Sequence, residues 1–224
     1  MPDLVERVHR SLLDAICSGD WPPGTRLTQE TVAEQLGVSR QPVLQAFRLL
    51  AREGLLLETP NRKGVLVAPL DAAFVAQLYE VRGALDALAA RTAASRPRPD
   101  LAEAGARLLE RGREAARRGE VTPLVEADLA FHRFVYEAAG NPVLTRTADV
   151  HWHHARRAMA AYLSLPASFD GVWREHAEML EAIVAGDAAR AELLSRAHAQ
   201  ASVQTMLART GDVPADDPPW QAAG

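Results

Sequence analysis

The chain has 224 residues and a net charge of −4 at pH 7, which excludes a protein that is basic throughout. Any contact with nucleic acid must therefore come from locally placed basic residues. Its single cysteine excludes an internal disulfide and a cysteine-based zinc module. No segment approaches the roughly 20 apolar residues of a membrane span, and the first residues include acids, unlike a signal peptide. We expect a cytoplasmic protein with no membrane partner.

The N-terminal part predicts three helices. Apolar residues at helical spacing over 4–18 predict the first helix. Thr28 is positioned to cap a second, short helix, and Gly37 suits the left-handed conformation that ends it. Ser39 is positioned to cap a third helix, which closes at Gly54. Two helices joined by a tight turn at Gly37 form a helix-turn-helix. The buried stripe of the third helix is predicted to consist of Val43, Phe47 and Leu50.

The residues "LLLETPNRKGVLV" predict two strands around a polar turn, which is the wing of a winged helix. From Asp71 onward we predict six helices and no strand. They are expected at 71–95, 99–119, 122–139, 143–164, 169–185 and 187–209. The predicted fold is mainly α, with a winged helix-turn-helix DNA-binding domain over 1–70 and an antiparallel all-α bundle over 71–209. The acidic, Pro-rich segment 210–224 is expected to be a disordered tail.

The third helix has a polar face opposite its buried stripe. A recognition helix presents its N-terminal residues to base edges in the major groove of double-stranded DNA. Arg40 is expected to contact guanine with two hydrogen bonds, and Gln41 or Gln45 to read adenine. Hydroxyl groups and wing-tip cations are expected to meet the DNA backbone or minor groove. The alternative is an ordinary small domain with solvated charges. The predicted DNA-binding set is Thr28, Ser39, Arg40, Gln41, Gln45, Arg48, Arg62 and Lys63.

This segment resembles a known class of DNA-binding domain. The residues "LTQETVAEQLGVSRQPVLQAFRLLAREGLLLETPNRKGVLVAPL" are similar to the N-terminal domain of the GntR family of bacterial transcription regulators, in particular to its FadR-like members. The match covers nearly all of residues 4–70. Relatives usually have a basic residue at the position of Leu44, and often one at Thr31, and both contribute DNA contacts there. The resemblance implies that Arg40 reads DNA. The departures at Leu44 and Thr31 imply that the operator sequence differs from that of most relatives, or that the affinity for DNA is lower.

Three histidines and one aspartate have spacings that suit a metal site. Asp128 and His132 are four residues apart and lie on one side of a predicted helix. His176 and His198 lie at similar distances on either side of Gly186, so a helical hairpin turning there brings them to nearly the same height. Such a set suits a divalent cation such as Zn²⁺, Ni²⁺ or Mn²⁺. Spacing alone leaves open that these histidines are satisfied core residues. A competing cluster is His151, His153 and His154, which we expect on a solvated face near Arg156 and Arg157.

The C-terminal part resembles the FCD ligand-binding domain that follows the winged helix in FadR-like regulators. The matching segments are "YEVRGALDALAA", "DLAFHRFVYEAAGNP" and "EHAEMLEAIVAGDAARAELLSRAH". The resemblance implies that Asp128, His132, His176 and His198 hold a metal that keeps open positions for the carboxylate of a small organic acid. It also implies that Arg82 pairs with this effector, with a structural ion pair as the alternative. Six predicted helices rather than seven are similar to the VanR-like branch.

Three functions fit these patterns. The first is a transcriptional regulator, expected to be a repressor, whose homodimer places two recognition helices on a two-fold operator and responds to a small carboxylate. The second is a metal-dependent, hydrolase-type enzyme with an appended winged helix. It lacks an obvious general base, because Glu175 points off the face of His176 by one residue. The third is a structural DNA binder that the metal only stabilises. We predict the first, and no enzyme activity.

Overall fold

The computed structural model describes residues 3–59, 64–96, 98–162 and 169–208. The chain forms two compact units, which divide between Asp71 and Ala72. Among the described helices, none is long and apolar enough to cross a membrane. The predicted wing-tip residues Arg62 and Lys63 and the predicted tail over 210–224 lie outside the described residues.

The described part of the N-terminal unit contains three helices and a small sheet. Its elements are α1 (Leu4–Ser18), β1 (Arg26–Leu27), α2 (Gln29–Leu36), α3 (Arg40–Arg52), β2 (Leu56–Glu58) and β3 (Val65–Val67). The sheet has the order β1-β3-β2, and β3 is antiparallel to both neighbours. The predicted stripe Val43, Phe47 and Leu50 is buried together with Val8 and Leu12 of α1. This is the predicted winged helix-turn-helix.

The helix caps around the turn between α2 and α3 are as predicted, except for the cap of α3. The Thr28 hydroxyl accepts a hydrogen bond from the Thr31 amide and so caps α2. Gly37 has φ of +63° and ends α2 in the left-handed conformation. Ser39 occupies the N-cap position of α3, but its hydroxyl makes no capping hydrogen bond. Because Ser39 is exposed, its hydroxyl is accessible to an external partner.

The sheet contains a strand that the sequence does not predict. Arg26 and Leu27 lie in a segment rich in Pro and Gly, yet they pair with Leu66 and Val65 to form β1. Gly64, which precedes β3, has φ of +126°, and a Cβ there would lie 2.4 Å from the Leu27 carbonyl oxygen. Glycine is therefore needed at this position for β3 to approach β1.

The C-terminal unit is all-helical over the residues that the structure describes. Its helices are α4 (Ala72–Ala94), α5 (Leu101–Arg118), α6 (Val121–Ala139), α7 (Pro142–Tyr162), α8 (Asp170–Val184) and α9 (Ala188–Ala208). Helix α4 packs along α9, α6 packs against α4, α5 and α7, and α8 packs against α5 and α9. Gly186, with φ of +73°, makes the turn of the α8–α9 hairpin. The six helices among the described residues match the predicted number, and the hairpin turns at the predicted residue, Gly186.

Two glycines of α5 allow α8 to come close. A Cβ on Gly112 would lie 2.0 Å from the nearest ring atom of Trp173, and a Cβ on Gly105 would lie 2.5 Å from a methyl carbon of Leu180. Trp173 is fully buried, and its ring centre is 5.0 Å from that of His176. Helix α5 therefore fixes the position of the α8 face that carries His176.

We expect Gly112→Ala to destabilise the C-terminal unit by about 1–3 kcal/mol, because the added methyl group overpacks the indole of Trp173. Urea unfolding followed by circular dichroism measures the change. The matched control is Gly171→Ala, for which the nearest atom to a new Cβ is 3.9 Å away. It should leave stability unchanged or raise it by up to about 1 kcal/mol through helix propensity. Equal stabilities of the two variants would contradict the close approach of α5 and α8.

Candidate functional site

Among the described residues, the predicted DNA-contacting set lies at the start of α2 and along α3 from its N-cap to Arg48. Thr28 is half-buried at the start of α2. Arg40 forms an ion pair with Glu30 of α2, and both side chains are well exposed. An exposed ion pair contributes little stability, so the Arg40 guanidinium can exchange Glu30 for a base edge or a phosphate. The exposed members of the set are Ser39, Arg40, Gln41, Gln45 and Arg48.

Four side chains of the C-terminal unit converge in its core. Asp128 and His132 come from α6, His176 from α8 and His198 from α9. All four are buried, and one potential ligand atom of each lies within 4.8 Å of the others. The Nε2 atom of His176 is 3.2 Å from Nε2 of His198 and 3.5 Å from Oδ1 of Asp128. The structure thus brings together the four residues of the predicted metal site.

Carboxylates lie behind two of the three imidazoles. His198 Nδ1 donates to Glu175 Oε2 at 2.8 Å, and His132 Nδ1 is 3.6 Å from Asp86 Oδ2. A proton held on Nδ1 by a carboxylate leaves the lone pair of a neutral ring on Nε2, the atom that faces the cluster. Glu175 precedes His176 and therefore lies on a different side of α8. Its side chain nevertheless takes part in the site, because it contacts His198 on the neighbouring helix α9.

A buried network holds Arg82 beside the cluster. Its Nε donates to Asp86 Oδ2 at 3.1 Å, and its Nη1 donates to the Tyr79 hydroxyl at 3.0 Å. Its Nη2 lies 3.7 Å from Asp128 Oδ2. The Tyr136 hydroxyl donates to the other oxygen of Asp86 at 2.8 Å. Arg82 is only 3% exposed, so its guanidinium is held in one orientation toward the cluster.

Burial sets the protonation of the cluster. It lowers the pKa of His132 and of His176 well below the ordinary value of 6.5, so both rings are neutral near pH 7 and protons do not compete for their lone pairs. Burial also raises the pKa of the Asp128 carboxyl, an effect that Arg82 and His198 partly oppose. For Arg82 itself, burial lowers the pKa, but the surrounding phenol and carboxylate groups raise it above its ordinary value, so the guanidinium stays charged.

The cluster has the donor set of a divalent-cation site. Within the described residues, Asp128 Oδ2 and His132 Nε2 are buried without a hydrogen-bond partner, which is rare for buried polar atoms. Ligand atoms bound about 2.0–2.2 Å from a cation lie roughly 3–4.4 Å from one another, close to the separations in the cluster. Three imidazole nitrogens and one carboxylate oxygen suit Zn²⁺, Ni²⁺ or Mn²⁺. The residues present therefore fit such a cation.

A cavity of about 230 Å³ adjoins the cluster. Arg82, Asp128 and His198 form part of its lining, so a molecule in the cavity is within reach of both the guanidinium and the cluster. Arg82 was predicted either to contact the effector or to form a structural ion pair. Its position suits both roles, because the side chain pairs with Asp86 and also faces the cavity.

The competing histidines of α7 form no second site within the described part of the chain. His151, His153 and His154 belong to no group there that could hold a metal ion. His154 and Arg157 are buried, so the expectation of a solvated face is wrong for these two residues. The ring of His154 packs edge-on against Phe74 at 5.0 Å, because α7 packs against α4.

Glu175→Gln is expected to weaken metal binding by about 10–100-fold, because the amide no longer supplies a charged acceptor for His198 Nδ1. Competition with a chromogenic chelator measures the affinity for Zn²⁺. The matched control is Glu178→Gln on the same helix, because Glu178 forms no ion pair with any described residue. Its affinity for Zn²⁺ should equal that of the unchanged chain. An undiminished affinity in the Glu175→Gln chain would show that this carboxylate does not orient His198.

Two family models match the chain, one for each unit. The model described as bacterial regulatory proteins, gntR family, matches residues 4–67. The model of the FCD domain matches residues 77–201, which is more than half of the chain and includes all four residues of the buried cluster.

Individual proteins resemble the chain over most of its length. It is 29% identical to a probable D-xylose utilization operon transcriptional repressor of Paenarthrobacter nicotinovorans, over 95% of this chain and 92% of that protein. It is 30% identical to an HTH-type transcriptional regulator of Mycobacterium tuberculosis, over 90% of this chain and 89% of that protein. Its fold is similar to that of Escherichia coli McbR, with a TM-score of 0.83 at 21% identity over 93% and 99% of the two chains. These relatives are regulators and not enzymes, so the hydrolase-type alternative is unsupported. The chain belongs to the GntR family of bacterial transcriptional regulators and carries a C-terminal FCD domain.

Proposed function

We propose that this regulator is a repressor whose operator binding changes when a small carboxylate binds at a divalent cation in the FCD domain. The observation that supports the proposal is the buried cluster of three imidazoles and one carboxylate beside a cavity. When bound, the cation supplies positive charge and open coordination positions for an anionic ligand. The proposed ligands of the cation are Asp128, His132, His176 and His198.

The charges around the cluster make carboxylate binding depend on the cation. Asp86, Asp128 and Glu175 carry three formal negative charges, against one positive charge on Arg82. An anion entering this site meets a net negative surrounding, which a divalent cation neutralises. We therefore propose that the FCD domain binds its carboxylate only when metal is present, with Arg82 as a second contact for the carboxylate group.

DNA reading is assigned to the winged helix-turn-helix over 1–70, and sensing to the FCD domain over 71–209. A homodimer presents two α3 helices to the half-sites of a two-fold operator. A carboxylate shifts operator affinity only if it binds the DNA-competent and incompetent arrangements of that dimer with different affinities. The repressor assignment follows the relative from Paenarthrobacter nicotinovorans, which is named as a repressor.

Operator binding with and without metal, and with and without a carboxylate, tests the proposal. A DNA duplex is first selected from a random pool by the purified chain, and its affinity is measured by fluorescence anisotropy. The protein is tested without a carboxylate and with sodium acetate, hexanoate or gluconate, each time both stripped of metal and loaded with Zn²⁺. We expect at least one carboxylate to weaken operator binding by about 5–150-fold, and only in the metal-loaded protein. Equal affinities under all conditions would refute the proposal.

A further inference from the structure

The cavity beside the cluster extends along one face of α9. His198, at the cluster, and Ala201, Ser202, Thr205 and Met206 line it in succession. At 1.5 Å per residue, Met206 lies about 12 Å along the helix from His198. The cavity therefore has a polar end at the proposed metal site and a body that runs two turns of α9 away from it.

The body of the cavity is mainly apolar in the lining that the structure describes. Of the two hydroxyl groups that α9 contributes, that of Thr205 already donates to the Ala201 carbonyl oxygen at 2.9 Å. Met159 and Met206 are buried, and methionine side chains adapt their shape to a ligand. The apolar lining consists of Leu124, Met159, Phe169, Val172, Trp173 and Met206.

We infer that the ligand of this cavity is a carboxylate with an apolar aliphatic or aromatic body, and not a polyhydroxy acid such as a sugar acid. The inference rests on the proposed function, because the carboxylate is the group that the cation and Arg82 receive. Each methylene removed from water by the apolar wall adds about 4-fold to the affinity. Hydroxyl groups of a sugar acid meet few partners along this wall and lose their hydrogen bonds to water. The volume of about 230 Å³ is below the roughly 300–1,000 Å³ of pockets for drug-sized ligands, so the ligand is a small metabolite.

Calorimetric titration of the full zinc-loaded chain with acetate, hexanoate and gluconate tests the inference. Acetate carries the carboxylate alone, whereas hexanoate and gluconate have six-carbon bodies of opposite polarity. We expect hexanoate to bind at least 30-fold tighter than acetate, and gluconate no tighter than acetate. Gluconate binding tighter than hexanoate, or equal binding of acetate and hexanoate, overturns the inference and leaves the proposed function intact. If none of the three binds, both the inference and the proposed function fail.

A variant pair localises the selectivity to the cavity wall. Met206→Gln keeps the length of the side chain and adds a polar group, and it should reduce the preference for hexanoate over gluconate by about 10-fold. The matched control is Leu193→Gln, on the same helix but 67% exposed and away from the cavity, which should leave the preference unchanged. Metal content and thermal unfolding check that each chain is folded. Val172→Thr, on the opposite wall, is the second variant if Met206→Gln does not fold. An unchanged preference in the folded variant overturns the inference.

Discussion

A His176→Gln chain is expected to lose its divalent cation while the winged helix-turn-helix still folds. The His176 ring is fully buried, and its Nε2 atom faces both His198 and Asp128, so its replacement removes a proposed ligand from the centre of the cluster. Removal of a ligand should cost more than removal of a supporting carboxylate, that is, more than about 100-fold in affinity. At a free Zn²⁺ concentration of 100 times its dissociation constant, the cation stabilises the unchanged chain by about 2.7 kcal/mol, and the variant should lose this stabilisation.

Metal content after gel filtration and thermal unfolding with and without Zn²⁺ measure both effects. The matched control is His154→Gln, which changes a buried histidine of the same unit that lies outside the cluster. Its metal content should equal that of the unchanged chain, even if its stability falls. Full metal occupancy in the His176→Gln chain would show that the ligand assignment is wrong. In operator-binding assays, the His176→Gln chain should no longer respond to any carboxylate.

Arg40→Ala is expected to weaken operator binding by about 1–3 kcal/mol for each half-site, because a bidentate arginine–guanine contact contributes that much discrimination. Arg40 lies at the start of α3, where a recognition helix contacts base edges. To bind a guanine, its guanidinium needs to give up only an exposed ion pair with Glu30. Anisotropy titration with the selected duplex measures the loss. Metal content should be unchanged, because the proposed metal site belongs to the other unit.

The matched control for this prediction is Arg52→Ala. Arg52 is also an exposed arginine of α3, but it lies in the last turn of the helix. Its removal should change operator affinity far less than that of Arg40. Equal losses in the two chains would indicate that α3 contributes general positive charge to DNA binding and does not read bases from its N-terminal end.

Local chemistry explains which parts of the fold were predictable. The Thr28 cap, the left-handed Gly37 and the Gly186 turn depend on one or two residues and their neighbours, and each is found as predicted. The strand β1 was missed because it exists only through its pairing with Val65 and Leu66, which the local sequence does not reveal. Burial of His154 was missed for a similar reason, since the packing of α7 on α4 covers a residue in a segment that is rich in histidine and arginine.

In the candidate site, too, features set by the local sequence were predictable and features set by helix packing were not. The four-residue spacing of Asp128 and His132 and the symmetry of the hairpin about Gly186 were visible in the sequence, and they indicated convergence of the histidines. The supporting carboxylates were not visible. Glu175 contacts a histidine of the next helix, and Asp86 contacts one from α6, so both depend on how helices pack. The one available signal for Asp86 was its position four residues after Arg82, which suits an ion pair within a helix.

Diffraction from crystals of the zinc-loaded protein, with an anomalous difference map at the zinc absorption edge, tests the central claim most directly. We predict one peak in each chain, about 2.0–2.2 Å from Asp128, His132, His176 and His198. A peak bound by other residues, or a fully loaded protein without a peak at these four side chains, would contradict the metal-centred sensor.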